Sequence, residues 1–223
     1  MKTFNDSAPS YDKWYEGKMG AFADGVQTEL ALKLFKPVAG MHVLDVGCGT
    51  GNFSLKLARL GLKVTGIDVS AEMLKVAKKK AEAQDLAINF LEMDAQNMEF
   101  PDDFFDGVFS LAALEFIREP AKALDEMFRV LKKDGRLLIG TINRNSKWGE
   151  LYLGRRQSRD SVFSGASLLT REDLLSWKPE KLLASGQCLF LPPDTPEDKI
   201  SPDLERELSS RERGGFICAL WEK

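Results

Sequence analysis

Apolar positions along this chain fall into two rhythms that alternate. From Met19 they recur at 19, 22, 26, 30 and 34, the spacing of one helix face, and Pro37 and Gly40 follow as stop signals. "MHVLDVG" is then a short Val- and Leu-rich run, as a strand buried on both faces carries. The pattern predicts a helix from about Asn52 to Leu60, closed by Gly61. "KVTGID" reads as a second strand. Ser70 caps the next helix, with Glu72 in its first turn and Met73, Leu74, Ala77 and Ala81 on one face. "AINFLEMD" is a third strand and "FDGVFSLAAL" a fourth. Pro120 opens a helix whose apolar face is Leu124, Met127, Phe128 and Leu131, closed by Gly135, and "RLLIGTIN" is a fifth strand. Strands and helices alternating at this spacing imply a parallel sheet with right-handed crossovers.

After Asn143 the rhythm breaks. Residues 144–169 are polar, basic and Gly/Ser-containing, and read as a loop. Thr170 with Asp173 forms a capping box for a helix to about Trp177. "QCLFL" reads as a sixth strand, residues 192–215 as a loop with a short helix from Asp203 to Arg211, and "GFICALW" as a last strand. Residues 1–18 are polar with Phe4, Tyr11, Trp14 and Tyr15 interleaved. The expectation is one doubly wound α/β domain over residues 1–223. Residues 1–40 would form an N-terminal lid and helix, 41–143 a ligand-binding core, and 144–223 a substrate-side loop and C-terminal strands. In open α/β sheets the ligand lies beyond the carboxyl ends of the strands, within reach of the N-terminal segment and the 144–169 loop.

Composition narrows the function classes. A chain of 223 residues suits one large domain. A formal charge of −3 gives no field drawing it onto nucleic acid or an anionic membrane. Cys48, Cys188 and Cys218 are far apart with no CxxC pair, which fits reduced thiols in a cytosol. His42 is the single histidine, so a His-rich metal site is excluded and no metal is expected. The start "MKTFNDSAPSYDKW" has no apolar core, and no run of eighteen apolar residues occurs, so a cytoplasmic protein without a membrane span is expected.

The candidate chemistry sits after the first strand, in "VLDVGCGTGNFSLKLA". A dinucleotide fingerprint needs G-x-G-x-x-G, but Asn52 and Ser54 occupy the sixth positions counted from Gly47 and Gly49. No Lys-Ser or Lys-Thr follows to make a phosphate-binding P-loop. Asp45 precedes three alternating glycines, Gly47, Gly49 and Gly51. An acid there repels a pyrophosphate and suits an ammonium, while the following helix N-terminus favours a carboxylate. Together these describe an amino acid. Asp68 ends the second strand, where an acid accepts from ribose hydroxyls. Asp94 and Ala95 end the third, where a carboxylate and a backbone N–H can meet an adenine edge. Amino acid, ribose and adenine in one site point to S-adenosylmethionine.

Val43–Gly51, Gly66–Ser70 with Met73 and Leu74, and Met93–Ala95 resemble the motifs of class I S-adenosylmethionine-dependent methyltransferases. "FDGVFSLAALEF" and "FRVLKKDGRLLIGTIN" resemble the small-molecule branch that includes ubiquinone and menaquinone biosynthesis methyltransferases, and Tyr11-Asp12-x-Trp14 looks like that branch's N-terminal lid motif. The resemblance covers roughly residues 41–143. It implies a Rossmann-like, seven-stranded, mostly parallel sheet with an antiparallel last strand. It also implies site roles: Asp45 on the methionine ammonium, Gly47 and Gly49 along the methionine part, Asp68 on the ribose, Val69 on the adenine face, Asp94 and Ala95 at the adenine edge, and Leu111 near the methionyl backbone. The product would be S-adenosylhomocysteine.

Each residue also has a plainer reading. Asp45 can cap its own glycine loop, and Asp68 the helix behind it, although Asp68→Ala is expected to cost little fold stability. Asp94 can be a solvated turn residue. Cys48 reads as a small hydrophobe and His42 as structural. Tyr11 and Trp14 form either a hydrophobic staple or a lid with an aromatic face toward the sulfonium. Arg144, Lys147, Arg155, Arg156 and Arg159 form either a solvated face or a clamp for an anionic acceptor. Glu115 is the nearest candidate base, with the exposed start of a helix as the simpler reading. "SLAA" at the end of the fourth strand matches no nucleic-acid aminomethylation motif, which leaves a small organic acceptor. The alternatives are a non-catalytic S-adenosylmethionine-binding sensor or partner protein and, less well supported by the failed fingerprint, a nicotinamide-dependent oxidoreductase.

Overall fold

The computed structural model describes residues 4–155 and 162–223. Two short helices, α1 (Phe4–Tyr11) and α2 (Lys13–Glu16), precede α3 (Lys18–Phe35). The core then runs β1 (His42–Val46), α4 (Asn52–Arg59), β2 (Lys63–Asp68), α5 (Ala71–Glu82), β3 (Ile88–Glu92), β4 (Phe105–Leu111), α6 (Pro120–Val130) and β5 (Leu131–Ile142). The C-terminal part adds α7 (Lys147–Arg155), α8 (Arg171–Leu175), β6 (Leu182–Cys188), α9 (Pro202–Leu208) and β7 (Phe216–Glu222).

The seven strands form one sheet in the order β3-β2-β1-β4-β5-β7-β6. Pairs from β3 to β5 are parallel, and β7 runs antiparallel to both β5 and β6, as expected. The strand order reverses between β1 and β4, and a crevice opens at such a switch point beyond the carboxyl ends. Side chains alternate along the strands, so Leu44, Ile67 and Val108 enter the core on one face of the sheet while Val43, Val64 and Phe109 enter it on the other.

Four elements differ from the sequence reading. The N-terminal segment is helical, because its aromatics pack on the rest of the molecule: Phe4 meets Phe116 edge-on at 4.9 Å. The α6 helix stops at Val130, not near Gly135, because Leu131 turns extended to pair with Phe105, and the Phe104 N–H donates to the Val130 carbonyl at 2.8 Å. The sixth strand lies earlier than "QCLFL". Its partner β7 reaches only as far as the Cys188–Phe216 pair, Leu189 has φ +62°, and the Glu205 carboxylate takes the N–H groups of Phe190 and Leu191. The segment expected to be a loop at 144–169 holds α7; Arg156 and Arg159 lie outside the described residues. The Thr170–Asp173 capping box is present with both hydrogen bonds.

Candidate active site

The glycine loop leaves β1 on the switch-point side of the sheet. Gly47, Gly49 and Gly51 have φ of +70°, +53° and +79°, which glycine adopts without strain. Gly47 also has no room: a Cβ there would lie 2.3 Å from the Ala113 Cβ beyond β4. The loop is pinned from below, with the Gly47 and Cys48 N–H groups both donating to the Ile67 carbonyl at 2.8 and 3.0 Å.

Two acids flank it. Asp45 is 2% exposed and accepts the Ser54 hydroxyl at 2.5 Å. Burial, opposed by the Ser54 hydrogen bonds, lifts its pKa to about 6. Asp68 accepts the Gly49 N–H at 2.9 Å on one oxygen and the Ser70 N–H at 2.8 Å on the other. Burial raises its pKa against these bonds. Each carboxylate oxygen keeps a second lone pair, so the loop-capping role expected as the plain alternative leaves Asp68 able to accept from a ligand.

Two cavities border this loop, and a third shares Tyr11 and Ala112 with both. The first, about 280 Å³, is lined by Gly47, Gly49, Asp68, Val69, Asp94 and Ala95, with Tyr11. A small annex of about 90 Å³ brings Asp45 and Leu111 to the other side of Gly47 and Gly49. All the expected cofactor residues therefore border one connected region. Asp94 is an exposed turn acid whose carboxylate takes the Gln96 N–H at 2.8 Å, which lowers its pKa. Val69 is 64% exposed, an apolar side chain offered to the chamber. A further chamber of about 250 Å³ lies beyond, walled by aromatic side chains from α1, α2 and α7. Phe4, Tyr11, Ala112 and Phe116 border both large chambers and so form the partition.

The N-terminal segment is fastened across the site. Asp12 accepts from the Thr50 hydroxyl (2.7 Å), the Asn52 amide (3.0 Å) and the Lys80 ammonium (2.8 Å). Burial alone would raise the Asp12 carboxyl, but these donors outweigh it and hold its pKa low. Ser70 donates to Asn5 at 2.6 Å. Tyr11 lines all three cavities, and burial pushes its phenol pKa up.

Glu115 is not the exposed start of a helix. It is 1% exposed in a short 3-10 turn, accepting from Thr141 Oγ1 at 3.2 Å and the Ile142 N–H at 3.4 Å, and burial lifts its pKa to about 7. It lines none of the three cavities and ties the 114–116 turn to the end of β5. Cys48 packs beneath Gly66, and burial pushes its thiol well up, away from the reactive thiolate. His42 lies at the opposite end of β1, packed against Phe104 and Phe105. Among the described residues no cluster of His, Cys, Asp and Glu could hold a metal, and no helix is long and apolar enough to cross a membrane.

Residues 44–139 match the family model described as a methyltransferase domain. The chain is 30% identical over 175 residues to the ubiquinone biosynthesis O-methyltransferase of Proteus mirabilis, covering 74% of this chain and 71% of that protein. It belongs to the class I S-adenosylmethionine-dependent methyltransferases. Within them it falls in the branch with the ubiquinone and menaquinone biosynthesis enzymes, and the oxidoreductase reading falls. Identity to the enzyme of the same name from Coxiella burnetii is 40% over 108 residues, but spans only 48% of this chain and 46% of that one. A Thermotoga maritima methyltransferase, described as a possible histamine N-methyltransferase, shares the fold with TM-score 0.76 over 99% of this chain and 98% of its own, at 24% identity. The cofactor of this methyltransferase is S-adenosylmethionine.

Several residues around the site lie within the resembling motifs but have no expected site role. Phe116 and Met73 wall the first chamber as ordinary core-type residues. Ala112 has φ +52°, an uncommon conformation for a residue with a Cβ, directly at the partition. Asp12 reads as one half of a lid motif, but its three partners come from two other elements.

Proposed function

We propose that this methyltransferase transfers a methyl group to a small organic acceptor, with the cofactor in the first chamber and its annex and the acceptor in the aromatic chamber. The observation that supports this reading is the partition: among the described residues, Phe4, Tyr11, Ala112 and Phe116 border both large chambers. Residues 1–223 act in this reading as a single catalytic unit.

The residues present fit the cofactor. Gly47 admits no Cβ, so backbone can approach the methionine part. Asp45 borders the annex, where an ammonium would draw it into its ionised form. Asp68 has lone pairs left for two ribose hydroxyls. Val69 covers the adenine face, and Asp94 and Ala95 meet its edge. Leu111 borders the methionyl end. When bound, the cofactor supplies an electrophilic methyl on a sulfonium. The chain supplies position: Tyr11, held by the Asp12 anchor, offers a ring to the cation and confines the acceptor's approach. Alignment of a bound nucleophile supplies much of the rate in a displacement with a good leaving group. Glu115, outside the cavities, holds the Phe116 turn in place.

The test is a pair of calorimetric titrations, S-adenosylhomocysteine against NAD, with Asp68→Asn alongside the native protein, followed by transfer of a labelled methyl group to small-metabolite pools. Saturable binding of S-adenosylhomocysteine alone, weakened at least tenfold in the variant, is expected. Equal affinity in the variant would overturn the ribose assignment, and label incorporated only into macromolecules would overturn the acceptor class.

A further inference from the structure

A methyl group that moves onto an O–H, N–H or S–H acceptor sets one proton free, and the site has few places to put it. Among the described residues lining the aromatic chamber there is no carboxylate and no histidine, and Arg155 already carries its full set of protons. Four described residues border both large chambers, where the methyl group must cross. Phe4, Ala112 and Phe116 present only carbon there, so Tyr11 is the one with a protic side chain. Glu115, the nearest acid in sequence to that partition, lines neither chamber.

Tyr11 has a second phenol beside it. Its ring centre lies 6.0 Å from that of Tyr15, at 53°, and the two hydroxyls are within hydrogen-bonding reach. Tyr15 borders the aromatic chamber and the annex and also an open outer cavity of about 300 Å³. Asp24 of α3 borders the annex and the same outer cavity. The Lys56 ammonium donates to one Asp24 oxygen at 2.6 Å, and no described donor takes the other. Burial raises both phenol pKa values. The carboxylates of Glu115, Asp68 and Asp12 act on Tyr11 in the same direction, as does that of Asp24 on Tyr15. Neither phenol therefore serves as a standing base. Each can accept a proton only as it gives its own away.

We propose that Tyr11 and Tyr15 form a relay that carries the acceptor's proton from the partition to the outer cavity beside Asp24. This rests on the reading of the two large chambers as cofactor and acceptor sites. In the transfer, the acceptor atom gives an electron pair to the methyl carbon, and the carbon–sulfur pair returns to sulfur. The acceptor's proton passes to the Tyr11 oxygen as the Tyr11 proton passes to Tyr15. The Tyr15 proton passes to the open Asp24 oxygen and from there to water. Both phenols end neutral, and the positive charge of the sulfonium leaves the site as that proton.

The experiment measures labelled methyl transfer from S-adenosylmethionine to a small-metabolite extract by the full chain, in light and heavy water. It compares the native protein with Tyr15→Phe, Tyr11→Phe and the double variant, each of which keeps its rings. Loss of a positioned proton carrier costs about 10²-fold in rate, so Tyr15→Phe should lower kcat by about that factor. Its KM for S-adenosylmethionine and its calorimetric affinity for S-adenosylhomocysteine should stay within twofold of native. The native kcat should fall along a curve as the deuterium fraction rises, because more than one proton moves together, and Tyr15→Phe should lose the curvature. The double variant should be no slower than the slower single variant, as for residues that act as a unit. A native kcat in Tyr15→Phe, an isotope curve unchanged by that substitution, or losses that multiply in the double variant would each overturn the relay while sparing the cofactor and acceptor sites. Absence of any labelled small molecule with the native protein would remove the transfer reading and the relay with it.

Discussion

The Asp12 carboxylate accepts a hydrogen bond from the Thr50 hydroxyl at 2.7 Å, joining the N-terminal segment to the glycine loop across 38 positions of sequence. Lys80 of α5 meets the other oxygen of the same carboxylate at 2.8 Å, so one acid ties three elements together around the cofactor chamber. Asp12→Ala should lower the melting temperature by only a few degrees, because the Lys80 pair is partly exposed and such pairs contribute about 1 kcal/mol or less. Affinity for S-adenosylhomocysteine should fall about tenfold, since Tyr11 loses its anchor. Calorimetry and thermal melts separate the two effects; a large melting shift with unchanged affinity would make the anchor purely structural. The Asp12 pKa is lowered on folding, so its contribution is present above the unfolded value and is lost as pH falls through the folded one.

Asp68→Ala carries a stability cost that the sequence reading set too low. It removes the acceptor of the Gly49 and Ser70 N–H groups, and each hydrogen bond to a charged group contributes about 1.5–3 kcal/mol. A loss of about 3 kcal/mol in urea unfolding is expected, together with loss of cofactor binding. Asp68→Asn retains one acceptor and should recover part of the stability but not the affinity.

Asp45 gives the cofactor site a pH dependence of definite sign. The free carboxyl titrates at about 6 because it is buried. An ammonium beside it favours the ionised form. Binding below about pH 6 must therefore release a proton, and affinity for S-adenosylhomocysteine should rise with pH through that range and level off above it. Asp45→Asn should abolish both the slope and the proton release, measured by titration in buffers of different ionisation enthalpy.

Glu115 acts on stability in the opposite sense to Asp12. Its pKa rises on folding from 4.5 to about 7, so the folded state binds the extra proton. Its contribution is complete below the unfolded value and is lost as pH rises through the folded one. Between these values the native protein should lose about 3 kcal/mol from this group. Glu115→Gln should flatten that part of the stability–pH curve, read from denaturant midpoints. It should also leave the pH profile of methyl transfer without the loss of a limb, because Glu115 borders none of the three cavities; a vanished limb would instead mark it as a base.

Gly47→Ala should abolish cofactor binding. The new Cβ would meet Ala113 at 2.3 Å, and a φ of +70° adds about 1–2 kcal/mol of strain for any residue with a Cβ. Thermal melts should still show a cooperative fold, since the clash is local to the loops that follow β1 and β4.

The sequence by itself determined the sheet from β1 to β5, the cofactor and the order of its candidate contacts. Those properties are local. A strand's burial is written in its Val and Leu run, a loop that must turn with positive φ is written in Gly47, Gly49 and Gly51, and an acid at the end of a strand is carried to the sheet edge by the strand itself. Tertiary structure decided the rest. Asp12 reads in sequence as part of a lid motif without partners, until Thr50, Asn52 and Lys80 come to it from distant positions. Glu115 follows the apolar Leu114 in sequence like a residue turning to solvent, and is buried because the end of β5 folds over it. Strand β6 ends where its partner ends and where the Glu205 carboxylate takes over the backbone donors. The aromatic chamber is assembled from residues spread between Phe4 and Phe216, and its aromatic members each read alone as ordinary core residues. No local periodicity encodes a cavity, because its walls are side chains brought together only when the long-range contacts form.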